Sequence, residues 1–127
     1  MPADKREIAE YLKEVKVYIA KGRYTISTRE KNRQLETDYI LNEQIKRQII
    51  LDLKVEDFSH TLRNKHKGYE HEILYVFGKE INLLERFGNS TKQIALYIKF
   101  NKLENKYLII ISFHKQEQPL NYPFKST

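Results

Sequence analysis

The stretch KYLIIISFHK, Lys106 to Lys115, decides how this chain folds. Four aliphatic residues in a row, Leu108 to Ile111, read as a strand, yet the strand runs on into Ser112, Phe113, His114 and Lys115 with no turn residue between. Side chains of a strand alternate faces. The heavier apolar set, Tyr107, Ile109, Ile111 and Phe113, is expected on the core, leaving Leu108, Ile110, Ser112 and His114 on the other face. The preceding stretch, QIALYIKF (Gln93–Phe100), alternates as well: Ile94, Leu96, Ile98 and Phe100 against Gln93, Ala95, Tyr97 and Lys99. The polar NKLENK (Asn101–Lys106) joins the two as an antiparallel hairpin, with Asn105 suited to positive φ. If the apolar sets share the core, Tyr97, Lys99, Ser112 and His114 share the open face. A structural sheet also presents a polar open face, so spacing alone does not separate a site from a solvated surface.

Upstream, Ile8, Leu12, Val15 and Ile19 follow the helical period, with Asp4 as N-cap and Gly22 as the stop. RYTIS (Arg23–Ser27) reads as a short strand. TREKNRQLE (Thr28–Glu36) has no apolar period before Leu35 and reads as a polar connector or a short exposed helix, its basic residues solvated. A second helix is capped by Asn42 and stapled by Leu41, with Ile45, Ile49, Ile50 and Leu53 inward and Lys46 and Arg47 on the other side. VEDFSHTLRNKHKG (Val55–Gly68) begins as a further short helix and ends in a mobile basic loop, which leaves His60 in an exposed setting. HEILYVFGKEINL (His71–Leu83) is a third strand, bent at Gly78, and Leu84–Lys92 a long connection. The expected class is α+β: a twisted antiparallel sheet with helices packed on one face. Residues 1–117 form one domain and 118–127 a peripheral tail with Pro119 and Pro123.

The chain has 127 residues, enough for one core. Its formal net charge of +6 attracts polyanions, most often nucleic acid. There is no cysteine, which removes disulfides, thiolate metal sites and a cysteine nucleophile and suits a reducing cytoplasm. Neither a leader nor an apolar run long enough for a membrane span is visible, so no membrane partner is expected. Phosphate-binding glycine loops and nucleophile motifs are lacking, and His66 and His71 have no fixed carboxylate or thiolate company, so no cofactor and no metal is expected.

Five segments in order, IAKGRYTISTREKN, IILDLKVEDFSHTL, LYVFGKEI, ALYIKF and LIIISFHKQE, resemble the MqsR-like toxins, ribonucleases of the RelE superfamily from type II toxin–antitoxin pairs. The resemblance covers about Ile8 to Glu117. It implies a RelE-like fold and a metal-independent endoribonuclease, an mRNA interferase that cleaves RNA by 2′-hydroxyl attack and is neutralised by a cognate antitoxin protein. By motif, LYIKF places Tyr97 at the family's active-site tyrosine, SFH places His114 at its final basic catalytic residue, and DFSH places His60 where a catalytic lysine occurs. Glu72 stands nearest to a glutamine of the family, and with Tyr75 it is expected to contact substrate. Lys99, Arg63 and Lys65 are expected to bind phosphate. A non-catalytic RNA-binding module on the same scaffold is the alternative.

Overall fold

Asp4 starts the first helix by accepting the Glu7 amide at 2.8 Å, and Gly22 ends it with φ of 72°. The computed structural model describes residues 4–125. In it, α1 (Lys5–Ala20), β1 (Tyr24–Ile26), α2 (Glu30–Asp38) and α3 (Glu43–Leu51) precede a 3-10 turn at Val55–Asp57. Then come β2 (Phe58–Arg63), β3 (Ile73–Leu84), β4 (Thr91–Leu103) and β5 (Tyr107–Lys115). The strands form one sheet in the order β1-β5-β4-β3-β2. Three helices and a five-stranded mixed sheet make an α+β fold. The sheet is not wholly antiparallel: β1 runs parallel to β5, while the β2/β3, β3/β4 and β4/β5 pairs are antiparallel. No hairpin links β1 to β5, so no turn dictates their relative direction.

The core lies between α1, α3 and one face of the sheet. Ile8, Leu12, Val15, Ile19, Ile50 and Leu53 meet Phe77, Leu96, Ile98, Phe100, Leu108, Ile110 and Phe113, all buried. Phe77 packs edge-on against Phe58 and Phe100, with ring centroids 5.5 and 5.7 Å away. The apolar period of the helices and of β4 falls on this core as the sequence leads one to expect.

In β5 the expected alternation fails. Lys99 pairs with Ser112 but Phe100 pairs with Ile110, so Ile111 is one extra residue, a β-bulge. Before the bulge Leu108 and Ile110 face the helices; after it Phe113 does. Ile109 and Ile111 therefore lie outside the core, and the assignment of Tyr107, Ile109 and Ile111 to it is corrected. The bulge is stitched by Asn32, 3% exposed on α2. Its Nδ2 donates to Ile111 O and to Ser27 O, both at 3.0 Å, and its Oδ1 accepts Phe113 N at 2.8 Å. The amide takes over the ladder where β1 ends, satisfying backbone groups that burial would otherwise leave costly.

Other expectations change too. Phe58–Arg63 is a strand, not the continuation of a helix into a mobile loop, and the loop after it is internally hydrogen-bonded, Asn64 N to Glu72 O at 2.9 Å and Glu72 N to Tyr69 O at 3.0 Å. Of the two forms expected for Thr28–Glu36 the helix is the one taken, from Glu30, but with Asn32 and Leu35 buried rather than the whole segment exposed. Lys46 is buried rather than outward, its Nζ 2.8 Å from Glu36 Oε1. Lys106, not Asn105, takes positive φ in the last hairpin. The connection after β3 is shorter than expected, because β3 and β4 pair as far as Leu84 and Thr91.

The tail is not peripheral. Gln116 Nε2 donates to Leu96 O and to Tyr122 Oη, each at 3.1 Å, and Phe124 stacks on Phe58 at 5.9 Å. The tail lies so close over Gly78 that a Cβ there would collide with the Tyr122 hydroxyl and come within 2.6 Å of Leu120 Cδ1. Glycine at 78 thus serves this close approach rather than a bend.

Two outcomes follow for stability. Asn32→Ala should cost about 1–3 kcal/mol in urea unfolding, because it leaves the buried Phe113 N and the half-buried Ile111 O unpaired; an unchanged midpoint would mean the bulge does not need the amide. Gly78→Ala should lift the tail and speed proteolysis within residues 116–125, whereas unaltered cleavage would show that the tail is not seated there.

Candidate functional site

Residues paired across the sheet share a face, so the face away from the helices can be read in rows. One row is His60, Val76, Lys99 and Ser112; the next is Gly78, Tyr97 and His114. Tyr97, Lys99, Ser112 and His114 thus stand together. Both histidines reach this face through bulges. In β2 the pairing slips between Phe58 and His60, leaving Ser59 extra, as Ile111 is in β5. Were the strands to alternate strictly through Ser59 and Ile111, each imidazole would turn toward the helices. Bulges commonly re-aim side chains in this way beside functional sites.

His114 is buried, and its ring stacks on Tyr97 with centroids 5.1 Å apart and planes 7° from parallel. Its Nδ1 lies 2.8 Å from Lys115 O. A carbonyl only accepts, so Nδ1 carries the hydrogen and Nε2 is left as the acceptor of the neutral ring. Burial holds the His114 imidazole below its ordinary value; the Lys115 carbonyl opposes this, Lys31 and Arg29 reinforce it and Glu117 resists it. Around the ring, Arg29 Nη1 donates to Ser112 Oγ at 3.0 Å and Lys31 pairs with Glu117 at 2.7 Å. Lys99 is pushed down by burial, then by the charges of Arg29 and Lys31. Tyr97 is raised, chiefly by burial.

Beside this cluster runs a groove of roughly 1130 Å3 along the open face. Its rim carries Arg29, Arg63, Lys65, Lys67 and Lys99, with Glu72 as the one acid among its lining residues. Ile109 and Ile111 line it together with Leu62 and Leu74. It exceeds the ~300–1,000 Å3 of typical small-molecule sites and suits an extended anionic ligand.

His60 is exposed on the sheet's open face, with Nδ1 2.8 Å from Ser59 Oγ. Burial, then the Lys99 charge, lowers its pKa. It stands on β2, three strands from His114 on β5, so their backbones lie ~14 Å apart at the usual strand spacing. Lys99 comes between them. Arg63 and Lys65 line the groove. Glu72 lines it too, but its Oε1 accepts Asn64 Nδ2 and Asn101 Nδ2, both at 2.9 Å. Tyr75 is not on this face: it stacks on Tyr11 of α1 at 3.7 Å, which corrects its placement as a substrate contact. Arg29 and Asn101 escaped the sequence reading. Arg29 reaches Ser112 only because β1 lies parallel to β5, and no local pattern announces that pairing.

Among the described residues no group of three or more His, Asp or Glu side chains is placed to hold a metal ion, and no helix is long and apolar enough to cross a membrane. No protein-family model matches the sequence, and no curated protein matches it significantly.

The two depressed histidines give a pH dependence. An unfolded chain takes up protons near 6.5, before the folded chain does. Their contribution to stability is therefore complete above pH 6.5 and is lost as pH falls through and below it. The urea midpoint should drop between pH 7.5 and pH 5.5, and drop less in His114→Gln; an equal drop in both proteins would contradict a depressed His114.

Proposed function

We propose that this chain is an endoribonuclease that cleaves RNA through its own 2′-hydroxyl, an MqsR-like toxin on a RelE-like scaffold that acts on mRNA and is held in check by an antitoxin protein. The observation that carries the reading is His114: an imidazole neutral near pH 7, its Nδ1 tied to a carbonyl, beside Lys99 and Arg29, which themselves line the basic groove. His114 Nε2 takes the proton of the 2′-hydroxyl. The oxygen attacks the adjacent phosphorus, and the bond to the 5′-oxygen breaks, leaving a 2′,3′-cyclic phosphate and a 5′-hydroxyl. Lys99 sits on the strand next to β5, diagonal to His114, and its lowered pKa suits it to give a proton to the departing oxygen. Arg29 stabilises the charge that grows on phosphorus. Tyr97 orients the imidazole by stacking. His60, beyond Lys99, contacts the flanking backbone rather than sharing the reacting phosphate.

A second reading, RNA binding without cleavage, is favoured by one observation. His114 is only 7% exposed and borders a small cleft with Lys31, Leu35 and Glu117 instead of lining the main groove. Cleavage assays separate the two. His114→Ala should lower the rate by about 10²–10⁴ with the fold intact, while His60→Ala costs less. A 2′-deoxy substitution at the scissile nucleotide should block cleavage. The rate should rise with pH through a pKa below 6.5 and fall through one below 10.5. Wild-type cleavage by purified His114→Ala would remove the assignment.

A further inference from the structure

Within the basic groove Glu72 is out of place. It is the one acid among five Lys and Arg side chains, and among the described residues it pairs with none of them. Two amides hold it instead. Asn101, 4% exposed on β4, and Asn64 both donate to Oε1, while Oε2 has no hydrogen-bond partner among the described residues. A carboxylate in the path of a phosphate backbone repels it, so Glu72 fits where something other than phosphate lies. Close by, the groove is apolar: Leu62, Leu74 and Ile109 share the row of Asn101. Tyr69, 55% exposed, stands at the margin.

We infer that this end of the groove takes one unpaired base of a single-stranded RNA and reads it through Glu72. Unpaired bases are commonly held flat against apolar and aromatic side chains and recognised along their hydrogen-bonding edges. The rim Arg and Lys take the phosphates on either side. With Oε1 filled by two amides, Oε2 is the open acceptor, and it calls for a donor. The exocyclic amino group of cytosine or adenine supplies one. Uracil presents a carbonyl oxygen at the same place as the cytosine amino group and meets the carboxylate with repulsion. The ligand is thus an amino-bearing base, selected against uracil. This rests on the ribonuclease reading only for the kind of polymer, since base reading requires no cleavage.

The test is binding, carried out in the His114→Ala background so that the RNA survives. Short oligo(C) and oligo(U) of equal length differ at the base edge alone. Oligo(C) should bind about tenfold tighter by fluorescence anisotropy, toward the lower end of the ~5- to 150-fold that a good bidentate base contact gives. Adding Glu72→Gln keeps an oxygen for the two asparagines and puts a donor where Oε2 was, so the preference should shrink or reverse toward oligo(U) while the melting temperature holds. Equal binding of the two oligomers, an unaltered preference in Glu72→Gln, or no binding to either would overturn the inference. Cleavage by the chain with His114 intact is scored separately. Selective binding without cleavage would sink the ribonuclease reading and leave this one standing; cleavage with no cytosine preference would do the reverse.

Discussion

The site hangs on the way one side-chain amide holds one irregular residue. Asn32 on α2 bonds Ile111 O and Phe113 N, fixing the bulge that turns the end of β5 over. Because of it, Leu108 and Ile110 can fill the core while Ser112 and His114 still emerge on the far side of the sheet. The same amide holds Ser27 O, which anchors the start of α2 and brings Arg29 against Ser112. Core packing, the exposure of the imidazole's face of the sheet and the approach of a guanidinium are therefore one construction. Ser59 repeats the device at the other edge, delivering His60.

What gathers there is electrostatically unfavourable without a partner. The charges of Arg29 and Lys31 depress Lys99 and His114, and among the described residues only Lys31 of these three cations pairs with an acid, Glu117. Crowded like charges on a rigid sheet cost stability in the free protein and are relieved when an anion enters, the usual relation between a binding site and the fold that carries it. The groove extends this cationic surface away from His114, and its apolar lining distinguishes it from a surface that merely attracts polyanions.

Much of this was legible in the sequence. The helical periods of α1 and α3, both caps, the hairpin of β4 and β5, and the company of Tyr97, Lys99, Ser112 and His114 all follow from spacing. The bulges were not legible, since an apolar run such as Leu108–Ile111 alternates equally well in either register and only the neighbouring strand selects one. That is why spacing put His114 on the correct face and Ile109 and Ile111 on the wrong one. Tyr75 was misplaced because the helix that covers it is distant in sequence. Phe58–Arg63 hid as a strand because its acidic approach, Glu56 and Asp57, imitates a helix start, and the tail hid because its proline-rich composition says nothing of Gly78.

The central claim is that the open face of the sheet, and not the helical layer, meets RNA. The most direct measurement is an amide chemical-shift map of the isotopically labelled protein titrated with a short single-stranded RNA made wholly of 2′-O-methyl nucleotides, which lack the attacking hydroxyl. The account predicts shifts concentrated at Arg29, Arg63, Lys65, Lys99, Ile109 and Ser112, weakening as salt rises. Shifts confined to α1 and α3, or none at RNA concentrations well above those expected for binding, would contradict it.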